Sequence, residues 1–377
     1  MKIPRSIENQ IISRIETTGK AIVIYGPRQS GKTTLANDII GKLNKKTLMV
    51  NGDDLRYSDV LSSRDSTRLH ELVSDYDVIF IDEAQRIRDI GINLKIIIDN
   101  HPDLAVIATG SSSFELANTI NEPLTGRKWT FQLFPISVLE LGSIFNPFEL
   151  RESLEQRLIW GSYPYIFNIE GQEIRSQYLR ELTSDYLYKD ILVLDKIRDS
   201  WKIRNLLKLL AFQIGSEVSH NELGTQLGMS KDTVSRYIDL LVKSFVLMPL
   251  AGYSKNPRKE ISKTRKYYFF DLGVRNALID NFKGLADRDD IGKLWENFIV
   301  VERLKRNTYL QQPSSLYFWR TYTGMEVDLV EESGESLSGY EIKWNKSNVK
   351  PPAAWHHTYS DASWKLITAD NYLDFIT

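Results

Sequence analysis

The chain has 377 residues, a length that predicts two or three domains rather than one core. Formal net charge is −1, with 42% hydrophobic and 26% charged residues, so bulk charge does not make the molecule a polyanion binder and any DNA contact must come from local patches. There is no cysteine, which excludes disulfides and thiolate-held zinc or iron–sulfur clusters. The opening MKIPRSIENQIISRIE is too polar for a signal peptide and no run of about 18 apolar residues occurs, so a soluble, cytoplasmic protein with no membrane partner is expected.

The first informative stretch is AIVIYGPRQSGKTTLANDII, a β-run, a Gly-rich turn and a helix. Gly26 to Thr33 matches the phosphate-loop pattern G-x-x-x-x-G-K-S/T. Gly26, Pro27, Arg28, Gln29, Ser30, Gly31, Lys32, Thr33 and Thr34 are the predicted nucleotide contacts. The glycines would let backbone N–H groups close around phosphate oxygens, Lys32 would reach the terminal phosphates, Thr33 would ligate Mg²⁺, and the helix N-terminus adds its dipole. The side chain of Arg28 has no assigned role.

DVIFIDEAQ follows, a buried strand ending in two acids. Asp82 suits a water-mediated Mg²⁺ contact and Glu83 suits the base that orients the attacking water. AVIATGSSS is another buried strand, and Thr109 or Ser111 at its end is either a γ-phosphate sensor or part of a capped loop. Strands are predicted at 21–25, 47–51, 78–82, 105–109 and 129–133, alternating with helices, as an α/β domain requires. The acids of Asn51 to Asp54 read as a polar loop.

GPRQSGKTT, IDEAQ, TGSSSFEL, LTGRKWTFQLFPISVLEL and the later GSYPYIF resemble the AAA-type ATPases that carry the uncharacterised DUF4143 C-terminal region. The resemblance spans nearly the whole chain. It implies a parallel sheet with helices on both faces, ATP and Mg²⁺ as ligands, and a homo-oligomer. In the broader AAA+ class, arginine fingers complete a neighbouring subunit's site. Arg127 in LTGR is the local candidate, a plain structural arginine being the alternative.

Beyond the ATPase domain, set at 1–140, a helical linker is expected over 141–200 and a winged helix-turn-helix over 201–275. Ser219 with Glu222 opens one helix and Gly228 ends it. Ser230 caps the next, with Val234, Ile238 and Leu241 on its buried side. Lys231, Thr233, Ser235 and Arg236 would face outward. Lys255, Arg258, Lys259, Lys263, Arg265 and Lys266 cluster in a predicted wing tip, a pattern that suits DNA phosphates but also describes a solvated loop. Asp232 and Asp239 weigh against deep insertion into a groove.

The last part, 285–377, reads as helix, three strands, helix and strand, an order that resembles the PD-(D/E)xK nuclease core. Glu341-x-Lys343 would be its E-x-K motif, Asp328 the acid of the preceding strand and Glu296 the acid of the helix. Mg²⁺ held by Glu296, Asp328 and Glu341 would polarise a phosphodiester, and Lys343 would position water or offset the developing charge. Strict alternation predicts Val327 and Leu329 on one face and Glu326 and Asp328 on the other. The competing expectation is an amphipathic sheet showing its polar face to water. The five histidines show no ligand spacing. The expected whole is an ATP-hydrolysing protein coupling turnover to DNA binding and metal-dependent cleavage. The alternatives are a nucleotide-dependent DNA- or protein-binding switch with an inactive tail, and a small-molecule kinase. Glu83 directly after Asp82 argues against the kinase, because it favours water as acceptor.

Overall fold

The structure, a computed structural model, describes residues 1–17, 19–111, 123–184, 200–254, 265–345 and 349–377. The chain divides into two compact units, one of residues 2–135 with 243–245, the other of 136–242 and 246–377 with Met1. Among the described residues no helix is long and apolar enough to cross a membrane.

The first unit runs α1 (Glu8–Thr17), β1 (Ala21–Tyr25), α2 (Lys32–Leu43), β2 (Thr47–Asn51), α3 (Leu55–Leu61), α4 (Ser66–Val73), β3 (Val78–Asp82), α5 (Ile90–Asn100), β4 (Ala105–Gly110) and β5 (Lys128–Gln132). The sheet order is β2-β3-β4-β1-β5 and every pairing is parallel. All of β1 and Val78 to Ile81 of β3 are buried, as strands covered on both faces must be. The register pairs Asn51 with Asp82 and Tyr25 with Gly110, so the C-terminal ends of four strands lie along one edge. Asp54 and Asp65 accept from the first N–H groups of α3 and α4, so the acidic run after β2 is a helix cap. The predicted strand at 129–133 starts and ends one residue earlier.

The second unit opens with short helices α6 (Val138–Leu141), α7 (Pro147–Glu152), α8 (Leu154–Trp160) and α9 (Gln172–Leu182). Ser137 with Glu140, and Asn146 with Glu149, form complete capping boxes that start α6 and α7. Then come α10 (Ser200–Phe212), β6 (Glu217–Val218), α11 (His220–Leu227), α12 (Lys231–Lys243), β7 (Leu247–Gly252) and β8 (Arg265–Phe269). Gly228 closes α11 with φ of 60°, and Ser230 Oγ accepts from the Thr233 N–H at 3.1 Å. Val234, Ile238 and Leu241 are buried while Lys231, Ser235 and Arg236 are exposed. The chain continues through α13 (Leu272–Leu278), α14 (Ile291–Tyr309), β9 (Ser315–Arg320), β10 (Glu326–Ser333), β11 (Ser336–Ile342), α15 (Ala353–Thr358), β12 (Ser363–Ile367) and α16 (Leu373–Ile376).

The strands expected for a wing and for a separate tail form one sheet, ordered β12-β11-β10-β9-β7-β8-β6. The join is parallel and brief, Ala251 beside Tyr317 and Gly252 beside Phe318. Pro249 has no N–H to give, and β7 gains its second neighbour only after it. The alternation expected in β10 also fails. A register shift between Val327 and Val330 brings these two valines, three apart, into one aromatic cluster with Tyr253, Trp319, Trp355 and Tyr359. Both faces of β10 are consequently covered, and Asp328 is buried rather than solvated.

A second fixed point is Asp290, at the start of α14. Its Oδ2 lies 2.5 Å from Arg275 Nη1, and its Oδ1 lies 2.8 Å from Arg288 Nε, with both guanidiniums buried. Burial opposes the carboxylate, yet Arg288 and Arg275 hold its pKa down at about 2. Asp290→Asn should cost about 2–3 kcal/mol at pH 7 by removing the charge that the two buried guanidiniums hold. This stabilisation is complete above the unfolded carboxyl value of about 4 and is lost as pH falls through the folded value. Thermal melts of the two forms should therefore converge between about pH 4 and pH 2.

Candidate functional site

The phosphate loop leaves β1 at Gly26, whose backbone runs against β5's continuation. A Cβ there would lie 2.0 Å from the Leu133 carbonyl oxygen, so only glycine fits. Gln29 and Gly31 take positive φ, 59° and 95°, which turns the chain into α2. Lys32 is 5% exposed, and its Nζ donates to the carbonyls of Gly26 and Pro27, each at 2.9 Å. Ser30 Oγ is buried inside the loop with no hydrogen-bond partner among the described residues. Arg5 fastens the loop from behind, donating to Ser30 O at 2.7 Å and Phe134 O at 2.6 Å. Sequence reading missed Arg5, which lies 21 positions before Gly26 and carries no local signal.

Asp82, the last residue of β3, and Glu83 after it are drawn into the same edge. Asp82 Oδ2 accepts from Thr33 Oγ1 at 2.9 Å, and its Oδ1 accepts from Thr109 Oγ1. Glu83 sits in the left-handed region, φ 51°, which turns its side chain away from the strand direction. Its backbone N–H donates to Thr109 Oγ1 at 3.3 Å, and its Oε2 accepts from Gln85 Nε2 and from Ser111 Oγ at 3.2 Å. Thr109 and Ser111 thus serve different acids, and Gln85 of the IDEAQ run joins them. The set fits Mg²⁺: a hydroxyl and a carboxylate oxygen already share a hydrogen bond beside the loop. Arg127 is elsewhere. It immediately precedes β5, its carbonyl accepts from the Ala21 N–H at 2.9 Å, and its Nε pairs with Asp99 at 2.7 Å, at the opposite end of the sheet from Lys32. Burial alone pushes the Tyr25 hydroxyl, at the end of β1, up to about 12.

In the second unit a groove of about 800 Å³ runs between α11, α12 and the β7–β8 pair. Its walls include His220, Asn221, Lys231, Ser235, Arg236 and Arg265, with Asp232 and Asp239 among them. Lys255, Arg258, Lys259 and Lys263 of the predicted wing lie outside the described residues. Lys266 does not belong to an exposed wing: it is 3% exposed and paired with Glu296 and Glu326.

The acids of the tail come together with two lysines. Asp328 Oδ2 accepts from the Ile342 N–H and from Lys343 Nζ, both at 2.8 Å. Lys343 Nζ is also 2.7 Å from Glu341 Oε1. Glu296 Oε1 accepts from Tyr268 Oη at 2.6 Å and from Lys266 Nζ at 3.2 Å. Among the described residues no three acids or histidines converge to hold a metal ion. Each of the expected metal ligands Glu296, Asp328 and Glu341 is engaged by a lysine, Lys266 or Lys343. Burial raises the carboxyl pKa of Glu296 despite Lys266, and burial together with Asp328 raises that of Glu341. Burial disfavours the Lys343 and Lys266 ammoniums, but the neighbouring carboxylates hold both above the ordinary lysine value.

Residues 18–142 match the AAA domain model, 151–284 a domain of unknown function, DUF8612, and 291–365 a domain of unknown function, DUF4143. An uncharacterised protein of Mycobacterium tuberculosis is 29% identical over 85% of this chain and 70% of its own length. One from Methanocaldococcus jannaschii is 24% identical over 98% of this chain and 88% of its own. Among solved structures, the Walker-type ATPase PABY2304 of Pyrococcus abyssi aligns over 72% of this chain and 94% of its own, with TM-score 0.50 and 14% identity. The first unit is thus similar to AAA-type P-loop ATPase domains in fold and loop, and residues 291–365 are similar to the DUF4143 region.

Arg5→Ala should weaken nucleotide binding by several-fold through a looser loop, while every group at the phosphates is retained. Nucleotide titration of the variant, followed by melting temperature, checks this against a purely destabilising effect, which would lower the melting temperature and leave affinity intact.

Proposed function

We propose that the first unit binds ATP–Mg²⁺ and hydrolyses it. The observation that carries this is the convergence of Lys32, Thr33, Asp82 and Glu83 on one sheet edge beside a glycine turn that admits no side chain. Lys32 exchanges its carbonyl partners for phosphate oxygens. The N–H groups from Arg28 to Thr34 surround the phosphates, and Ser30 Oγ is a further hydroxyl there. Thr33 and Asp82 hold Mg²⁺, which when bound neutralises charge on the phosphate oxygens. Gln85 and Ser111 hold Glu83 Oε2, which leaves Oε1 to orient the attacking water and accept its proton. Thr109 fixes Asp82 and meets the Glu83 backbone, so it links the metal side of the site to the water side. A role for Arg127 in hydrolysis would be played in the site of a neighbouring copy, since its own loop lies at the other end of the sheet.

Lys32→Ala should abolish ATP–Mg²⁺ binding. Glu83→Gln should keep binding and lower turnover by about 10²–10⁴-fold. Equilibrium binding and phosphate release measured on both variants test the reading. Unchanged turnover in Lys32→Ala would end it.

A second element of the proposal is DNA binding at the groove along α12, arranged as the second helix of a winged helix-turn-helix. Exposed Lys231, Arg236 and Arg265 on its walls favour it, and Asp232 and Asp239 restrict it to backbone contact. Lys231→Ala with Arg236→Ala should weaken duplex DNA binding evenly across sequences and reduce the salt slope by about 2. Filter retention against salt concentration reads this directly. Cleavage by the tail is not part of the proposal.

A further inference from the structure

The acids of the tail are held in two pairs, each bridged by a lysine. Lys266 comes from β8, outside the helix and strands that carry the acids. Its stem is buried, and its Nζ reaches Glu296 on α14 and Glu326 at the start of β10. Tyr268, two residues on, bonds the same Glu296 oxygen. The remaining side of Glu296 is closed by backbone: a Cβ on Gly215, which has φ of 71°, would lie 3.2 Å from Glu296 Oε1. Lys343 joins Asp328 and Glu341 in the same manner.

Carboxylates this close and this buried repel one another unless a cation lies between them. An ammonium has three donors and one full charge. Placed between Glu296 and Glu326 it supplies neutralisation that a divalent ion would otherwise provide, and it needs no free coordination positions. We infer that Lys266 is a tethered counter-cation: it completes the acidic cluster of the tail without metal and latches β8 to α14 and β10. The cluster is then an ionic brace across the seven-stranded sheet of the second unit, and removing the Lys266 charge should convert it into a divalent-cation site.

The test uses the full chain carrying Lys32→Ala, without nucleotide, so that the phosphate loop does not dominate metal uptake. Mn²⁺ binding is followed by electron paramagnetic resonance, and melting temperature is measured in Mn²⁺ and in EDTA. The parent should melt alike in both and show no Mn²⁺ binding that depends on Asp328. Lys266→Met should lower the melting temperature in EDTA by on the order of 10 °C. It should also gain Mn²⁺ binding and recover much of that loss in Mn²⁺. Lys266→Met with Glu296→Gln should recover stability without metal. An unchanged melting temperature in Lys266→Met would overturn the latch. If Lys266→Met does not fold, the parent still decides. Mn²⁺-dependent stabilisation that Asp328→Asn removes would show that metal, not Lys266, completes the cluster, and its absence supports the inference.

Discussion

The phosphate loop depends on β1 being paired on both sides by parallel neighbours, β4 and β5. Parallel pairing sends every chain out of the sheet at the same edge, so Tyr25, Asp82 and Gly110 end together although they are far apart in sequence. The pairing with β5 then brings the Leu133 carbonyl against Gly26 and leaves no volume for a side chain. Arg5 reinforces that contact by holding Ser30 and Phe134 together from behind the loop. Asp82, Glu83 and Thr109 thereby stand at or beside strand ends, with Lys32 and Thr33 at the start of α2.

Two buried lysines illustrate how partner charge separates a working site from a brace. Lys32 donates to two neutral carbonyls, which phosphate oxygens of full negative charge can replace. Lys266 rests on carboxylates, and moving it away would strand them in a poorly solvated place. Similar exposure therefore has opposite meaning at the two ends of the chain. Lys343, between Asp328 and Glu341, belongs with Lys266 in this respect.

The strands of the first unit, the loop from Gly26, the Ser230 cap, the Gly228 stop and the element order of the tail are all legible in the amino-acid sequence, because they follow from local rules of period, capping and turn geometry. These rules act within a few residues, which is why they can be read along a chain. Arg5, Gln85 and Tyr268 are not legible in that way, because their partners are set by packing. The bulge in β10 defeats alternation: one extra residue re-aims every side chain after it, and no local pattern in VDLV announces it.

Sequence alone was enough to define a phosphate loop with two acids downstream, since backbone conformation at glycine and the chemistry of Lys, Thr, Asp and Glu are properties of the residues themselves. It also placed Asp328, Glu341 and Lys343 near one another through their spacing on neighbouring strands. Tertiary structure alone decided what those tail acids face. Lys266, which the sequence groups with an exposed basic loop, is carried by β8 into their midst, because β7 joins β9 and merges two expected domains into one sheet. Charge compensation in a buried cluster depends on every element that surrounds it, and that is information no single stretch of the chain contains.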